Sequence, residues 1–201
     1  MARSSERPPV ERRNRDDVVL ATAIAVMAER GYSATSVQEV ADRVGVLKGS
    51  LYHYFSSKEE LLFRIVESSH LETSAIAEDV AGLGLSPFKE LLEWLRRSAV
   101  WYLENRERAA IFFTDRRHLT GERRDASNAW GRTFEARIAR LVDAARADGE
   151  IRDDIDPRLV ARFVIGTLND VRFWPSRSGK PFTTEEMADA LVLLTRSAVT
   201  P

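Results

Sequence analysis

Two short helical patterns joined at a glycine lie between residues 35 and 60 of this chain. Thr35 or Ser36 can cap the first helix, because a glutamine and a glutamate follow at capping-box spacing. Gly45 ends that helix, since glycine accepts the left-handed backbone that closes a helix. A second short helix has to begin almost at once, near Lys48. The first helix carries one apolar stripe at helical spacing, formed by Val37, Val40, Ala41 and Val44. This arrangement predicts a helix-turn-helix.

The second of these helices separates into an inward and an outward face. Leu51, Tyr54 and Phe55 are spaced to pack inward, which leaves a cation, hydroxyls and an imidazole outside. Such groups near a helix N-terminus can reach base edges, and those further along can reach phosphates. The alternative is that any small helical protein contains such hairpins. The outward residues are Lys48, Ser50, Tyr52 and His53, with Lys58 following as a further cation.

The residues ERGYSATSVQEVADRVGVLKGSLYHYFSSKEELL resemble the DNA-binding module of the TetR family of bacterial transcriptional repressors. Matching features include Gly31-Tyr32, Gly45-Val46 and Tyr54-Phe55 at fixed spacing. Leu47 departs from the pattern, because many family members have a capping serine there. The resemblance implies an operator of double-stranded DNA, contacted by Thr35, Ser36, Leu47, Lys48, Gly49, Ser50, Tyr52, His53, Tyr54 and Lys58.

Composition agrees with a helical protein and excludes several alternatives. The chain has 201 residues, of which 44% are hydrophobic and 30% are charged, as in ordinary globular proteins. Strand-like alternation is nearly absent, so the sequence predicts an all-α fold with about nine helices. There is no cysteine, which excludes disulfides and thiolate metal sites. The formal net charge is −1, so any DNA-binding positive surface must be local.

Three regions follow from the chain order and the resemblance: a flexible arm over residues 1–11, a DNA-binding domain over 12–60, and a ligand-binding and dimerisation domain over 61–201. The arm and the start of the first helix carry several arginines. These arginines either contact DNA phosphates or belong to a solvated tail without a function. No membrane span or signal-peptide core is expected, because the longest apolar run is far shorter than the roughly 20 residues of a span. The expected location is the cytoplasm. The arginines are Arg3, Arg7, Arg12, Arg13 and Arg15.

Local signals predict the order of the helices. The first helix should run from near Glu11 to Arg30 and stop at Gly31. Its expected inward face is Leu20, Ile24, Met27 and Ala28. Later helices are predicted from a Ser56 or Ser57 cap to Ala81, from Pro87 to Glu104, over 109–119, from Glu122 to Ala147, over 159–174 and over 187–198.

An acidic run, Asp153, Asp154 and Asp156, has a metal-like composition. Asp156 stands directly before Pro157, however, which is the pattern of a capped helix start. We therefore expect no metal site.

The last two predicted helices carry apolar residues on more than one face, for example Leu159, Phe163, Leu193 and Leu194. One protomer cannot cover that surface from one side, so two copies are expected to pair through a four-helix interface. The TetR resemblance implies the same homodimer.

The body is rich in aromatic residues, most of which should form core, while some can line a ligand cavity with a few polar groups. The segments IFFTDRRHLTGERR and DVRFWPSRSGKPFTTEEMADALVLL resemble the TetR subgroup that controls sterol and fatty-acid breakdown in actinobacteria, and Leu47 fits that subgroup. The resemblance implies an acyl-coenzyme A effector, with phosphates met by Arg172 and by Arg116 or Arg117. The predicted ligand-binding residues are Trp94, Trp101, Tyr102, Phe112, Asp115, His118, Trp130, Phe134, Asn169 and Arg172.

The sequence thus predicts a ligand-responsive repressor that binds a palindromic operator as a dimer and is released by a small hydrophobic or acyl-coenzyme A-type effector. The alternative is a helical lipid- or thioester-binding protein whose DNA role is secondary or lost. No enzyme, catalytic residue or cofactor is expected, because the three histidines, His53, His70 and His118, have no suitably spaced partners.

Overall fold

A computed structural model describes residues 9–174 and 181–201, and every regular element in those ranges is a helix. The prediction of an all-α fold is confirmed. Two 3₁₀ turns, Arg116–His118 and Val171–Phe173, accompany the α-helices. The helices are α1 Pro9–Ala34, α2 Val37–Val44, α3 Lys48–Leu51, α4 Lys58–Ala81, α5 Pro87–Glu104, α6 Arg106–Thr114, α7 Gly121–Ala147, α8 Pro157–Asp170 and α9 Thr184–Val199.

Side-chain caps set several helix starts. Ser36 caps α2 by accepting a hydrogen bond of 3.1 Å from the Glu39 N–H, and Ser57 caps α4 in the same way through Glu60. Asp156 caps α8 through the Arg158 N–H, and this helix has Pro157 in its first turn. These interactions satisfy backbone donors that a helix leaves free at its start.

Helix α1 is longer than the sequence predicts. It begins at Pro9, within the predicted arm, and continues past Gly31, where φ of 77° and ψ of 157° produce a kink. The predicted inward face is correct at Met27, whereas Ala28 is exposed and Val26 is buried in its place. Residues 1–8 and the side chains of residues 9–15 lie outside the described part of the structure, and with them the arginines expected near the arm.

Two hydrophobic cores organise the molecule. The first core is formed by α1, α2, α3 and the first half of α4, and we call this unit the head. The second fills the space between α5, α7, α8, α9 and the end of α4, and we call this unit the body. Ile111 of α6 and Leu119 belong to the core of the head, although both follow α5 in sequence. The two units therefore share packed side chains as well as α4.

No helix within residues 9–174 and 181–201 is long and apolar enough to cross a membrane.

Candidate nucleic-acid interface and effector cavity

The outward surface of α3 is held in place by two buried anchors. Leu51 is 0% exposed and Phe55 is 2% exposed, both within the core of the head. Lys48, Tyr52 and His53 are exposed, as the spacing predicts. Anchored in this way, the surface offers a cation, a phenol and an imidazole to a groove of DNA.

The remaining predicted DNA contacts near α3 differ in accessibility. Leu47 is 81% exposed and precedes α3 without a side-chain cap, in agreement with the missing serine. Gly49 is exposed, while Ser50 and Tyr54 are half-buried. Ser36 is exposed, but its hydroxyl oxygen already accepts the capping bond of α2.

Two predicted DNA contacts, Thr35 and Lys58, have hydrogen-bond partners within the head. Thr35 is only 3% exposed, and its hydroxyl donates to the Gly31 carbonyl at 2.9 Å. The Lys58 ammonium donates to the carbonyls of Tyr32 and Thr35, both at 2.8 Å, and to that of Ser33 at 3.3 Å. An ammonium has three hydrogens, so these carbonyls occupy all of them. The Lys58 side chain therefore fastens α4 to the end of α1, and its contact with phosphate stays a prediction.

A cavity of about 170 Å³ lies between α4, α5, α6, α7 and α8 in the body. Its aromatic lining comes from α5, α6 and α7, and α4 contributes polar side chains. Several residues expected from the sequence line it: Trp94, Tyr102, Phe112, Trp130, Phe134 and Asn169.

Four residues predicted for the ligand site do not line this cavity. The indole N–H of Trp101 donates to Glu72 at 2.9 Å, away from it. Asp115 follows the last turn of α6 and is 8% exposed. The ring of His118 is stacked on that of Tyr32. The guanidinium of Arg172 lies 4.5 Å from the ring centroid of Phe113, beside the lining.

His70 of α4 also lines the cavity and was not among the ligand-binding residues predicted from the sequence. Its ring is stacked on Trp130, with centroids 4.5 Å apart and planes inclined by 10°. The hydroxyl oxygen of Ser74 lies 3.2 Å from Nδ1 of His70. Burial lowers the pKa of His70, so the imidazole is neutral near pH 7. A single histidine among polar neighbours gives no periodic signal, so sequence reasoning could not place it here.

Burial also changes the phenol that lines the cavity. The Tyr102 side chain is fully enclosed, which raises the pKa of its hydroxyl, and the positive charge of Arg172 opposes part of that rise. Tyr102 is therefore a neutral hydroxyl at every physiological pH.

A basic cleft adjoins the cavity. It has a volume of about 530 Å³ and shares Phe113 and Arg116 with the cavity lining. Guanidinium groups bind phosphate well because their planar array of donors matches its oxygens. Arg124 was not predicted as a ligand-binding residue. The signal that could have indicated it is its position one helical turn after the start of α7. The cleft is lined by Phe113, Thr114, Arg116, Arg117, Arg124 and Asn128.

Direct bonds connect the head to the region beside this cleft. Oε1 of Glu59 accepts hydrogen bonds from the N–H and the hydroxyl of Thr120, at 2.8 and 3.0 Å. The rings of Tyr32 and His118 are stacked with centroids 5.0 Å apart. His118 and Thr120 flank Leu119, which is buried in the core of the head. The 3₁₀ turn Arg116–His118 thus contacts the head and the basic cleft at once.

Helices α8 and α9 expose large apolar side chains. Leu159 is 59% exposed, Leu193 is 64% exposed and Leu194 is 60% exposed, and Phe163 is also exposed. Exposed apolar surface on two neighbouring helices is typical of a protein–protein contact.

The acidic run before α8 is engaged in helix capping and ion pairing. Asp156 caps α8, and Asp154 forms an ion pair of 2.6 Å with Arg152. Within residues 9–174 and 181–201, no group of three or more histidine or acidic side chains could hold a metal ion.

Two family models match the chain. One is described as bacterial regulatory proteins, tetR family, and matches residues 19–65. The other is described as the tetracyclin repressor-like C-terminal domain and matches residues 84–199.

Related proteins match nearly the full length. The HTH-type transcriptional repressor KstR2 of Mycolicibacterium smegmatis is 27% identical over 195 residues, which cover 96% of this chain and 94% of that protein. The repressor of the same name from Rhodococcus jostii is 30% identical over 172 residues, 85% and 83% of the two chains.

Solved structures have the same fold. The ketosteroid transcriptional regulator KstR2 of Mycobacterium tuberculosis superposes with a TM-score of 0.86 at 26% identity, covering 93% of this chain and 95% of that one. AibR, solved in complex with isovaleryl coenzyme A and operator DNA, gives a TM-score of 0.80 at 27% identity, covering 90% and 97%.

Proposed function

This chain belongs to the TetR family of bacterial regulatory proteins, and we propose that it is a homodimeric repressor that an acyl-thioester effector releases from a palindromic operator. It is a DNA-binding regulator of transcription whose binding responds to a ligand. One observation carries the proposal: α4 shares the hydrophobic core of the head with Leu51 of α3 and, further along, forms a wall of the cavity.

The exposed apolar surface of α8 and α9 supports the dimer. Two copies joined there bury the leucines of both chains, and burial contributes about 1.5–3 kcal/mol for each large apolar side chain. A twofold axis gives two heads and therefore a two-part operator. Recognition helices read successive major grooves when they lie about 34 Å apart or a multiple of that distance.

The cavity and the basic cleft together support the effector class. A molecule that spans them has an apolar part among aromatic rings and an anionic part among Arg116, Arg117 and Arg124. An acyl-coenzyme A thioester has this composition. The AibR structure contains isovaleryl coenzyme A, a member of that chemical class.

The 3₁₀ turn Arg116–His118 supports a route from effector to DNA. Arg116 lines both cavity and cleft, while His118 and Thr120 contact the head. An effector that moves Arg116 therefore acts on the contacts that orient the head. It shifts the equilibrium between head positions only by its difference in affinity for the two states.

The proposal is tested by selection from a random duplex pool, followed by mobility-shift titration. We expect an inverted repeat to be enriched, and an acyl-coenzyme A thioester to release it while free coenzyme A does not. Tyr52→Phe, which removes one hydroxyl from the exposed surface, serves as a matched variant with weaker binding. Thioester binding without any enriched DNA would instead support a lipid- or thioester-binding protein.

A further inference from the structure

The cavity has two chemically different walls. One wall is aromatic and comes from α5, α6 and α7, with Trp94, Phe112 and Phe134 among its members. The other comes from α4 and presents His70, Thr73 and Ser74. Polar side chains of other elements, among them Tyr102 and Asn169, also line the cavity.

Of these polar side chains, Thr73 already has its hydrogen bonds inside the helix. Its hydroxyl lies 2.9 Å from the Ser69 carbonyl and 3.1 Å from the His70 carbonyl. His70 differs, because a neutral imidazole has two nitrogens, one a donor and the other an acceptor. The Ser74 hydroxyl lies 3.2 Å from Nδ1 and 3.5 Å from Nε2, so it bonds one nitrogen and leaves the other for a ligand.

The position of the His70 ring is fixed by stacking. Trp130 lies against it with planes inclined by 10°. Trp130 is also stacked on Phe63, with ring centroids 5.7 Å apart. A hydrogen-bonding group held in a fixed orientation loses less side-chain freedom on binding than a mobile group does. It therefore gains more affinity from a ligand whose oxygen is correctly placed than from one that lacks this oxygen.

We propose that His70, oriented by Ser74 and Trp130, hydrogen-bonds an oxygen of the effector's acyl part and so determines which acyl compounds bind. This inference rests on the proposed function and names the feature that the cavity recognises. The oxygen is the thioester carbonyl or a hydroxyl further along the acyl chain. The aromatic wall contacts the carbon skeleton of an acyl chain whether or not the chain carries a hydroxyl, so it does not distinguish between such effectors.

The two candidate oxygens, carbonyl and hydroxyl, are distinguished with three coenzyme A compounds of equal chain length. These are the thioether S-butyl coenzyme A, butyryl coenzyme A and 3-hydroxybutyryl coenzyme A. Isothermal titration is carried out on wild type and on His70→Phe, which keeps an aromatic ring against Trp130 but has no ring nitrogen. We expect wild type to bind an oxygen-bearing compound about tenfold more tightly than the thioether, because the thioether leaves the second ring nitrogen of His70 without a hydrogen-bond partner. In His70→Phe that ratio falls to about one, while thioether affinity changes by less than about twofold.

Thr73→Val is the matched control, because it removes a hydroxyl that bonds backbone carbonyls of the same wall and leaves the contacts of the His70 ring with Ser74 and Trp130 in place, and it should preserve the ratio. An equal preference for butyryl and 3-hydroxybutyryl coenzyme A over the thioether assigns the thioester carbonyl, and a gain confined to the hydroxyl compound assigns the hydroxyl of the acyl chain. Equal binding of all three compounds by wild type would overturn the inference and leave the proposed function intact. A loss shared equally by all three in His70→Phe would also overturn it, since packing alone would then explain the role of His70. Failure of every compound to bind wild type would overturn both the effector class and this inference.

Discussion

The ring of His118 lies stacked on the ring of Tyr32, with centroids 5.0 Å apart and planes inclined by 26°. Tyr32 belongs to α1, and His118 ends the 3₁₀ turn that begins at Arg116. The same tyrosine ring lies 4.4 Å from the ammonium of Lys58. One aromatic residue of the head therefore contacts both the start of α4 and the turn beside the basic cleft.

Removing the His118 ring should weaken the response to effector. Aromatic pairs contribute about 0.5–1.5 kcal/mol, so His118→Ala should reduce the effector-induced loss of operator affinity by about two- to tenfold. Operator affinity is measured with and without thioester. His118→Phe keeps a stacked ring and should retain most of the response. An unchanged response in His118→Ala would show that the signal passes elsewhere.

Lys58→Met should lower the stability of the folded protein without altering the salt dependence of its DNA affinity. The substitution leaves the carbonyls of Tyr32, Ser33 and Thr35 without their charged donor, at a cost of about 1–3 kcal/mol. Urea unfolding gives the stability, and mobility shifts at two salt concentrations give the salt slope. A slope flattened by about one charge would restore phosphate contact as the role of Lys58.

Lys48→Ala should weaken operator binding with no loss of stability. Lys48 is exposed at the first position of α3, where a lysine can bond a guanine edge. The expected cost is about 1–3 kcal/mol with altered preference at one base pair. Binding to single-base operator variants measures that preference. An equal loss on every sequence would instead assign a phosphate contact.

Leu194→Glu should separate the dimer. Leu194 is 60% exposed on α9, and a carboxylate enclosed in an apolar contact is strongly unfavourable. Sedimentation equilibrium should show a dissociation constant raised by at least about tenfold. Leu71→Glu changes a leucine that is 62% exposed on α4 and should leave the dimer intact. Equal sedimentation of Leu194→Glu and wild type would place the interface elsewhere.

The His70 ring should make stability depend on pH. Burial lowers the pKa of His70, so the unfolded chain binds a proton at a higher pH than the folded chain does. This contribution to stability is present above the unfolded-state pKa, which is near 6.5, and is lost as the pH falls below it. Melting temperatures at pH 8 and pH 5 should therefore differ less in His70→Phe than in wild type. An equal difference in both proteins would show that His70 is not responsible.

Local sequence signals predicted most helix boundaries because caps act over only a few residues. Ser57 and Asp156 show this directly. Periodicity was less reliable in α1, where the buried face includes Val19, Ala23 and Val26 and the expected Ala28 lies outside it.

Contacts between distant residues could not be predicted. The Lys58 side chain looks like a free surface cation in the sequence, yet its partners lie 23 to 26 residues earlier. Periodicity also indicates that Trp94 and Trp101 point inward without indicating which gap each one enters. Trp94 reaches the cavity, whereas Trp101 bonds Glu72.

Helix α4 extends unbroken from Lys58 to Ala81, a length of about 36 Å at 1.5 Å per residue. His70 lies about 18 Å along this rod from Lys58. A tilt of about 5° pivoting near His70 would therefore carry the Lys58 end through about 1.6 Å. This displacement exceeds the spread of about 0.5 Å in hydrogen-bond lengths, so in the proposed dimer an effector bound at the middle of α4 would misalign both recognition surfaces.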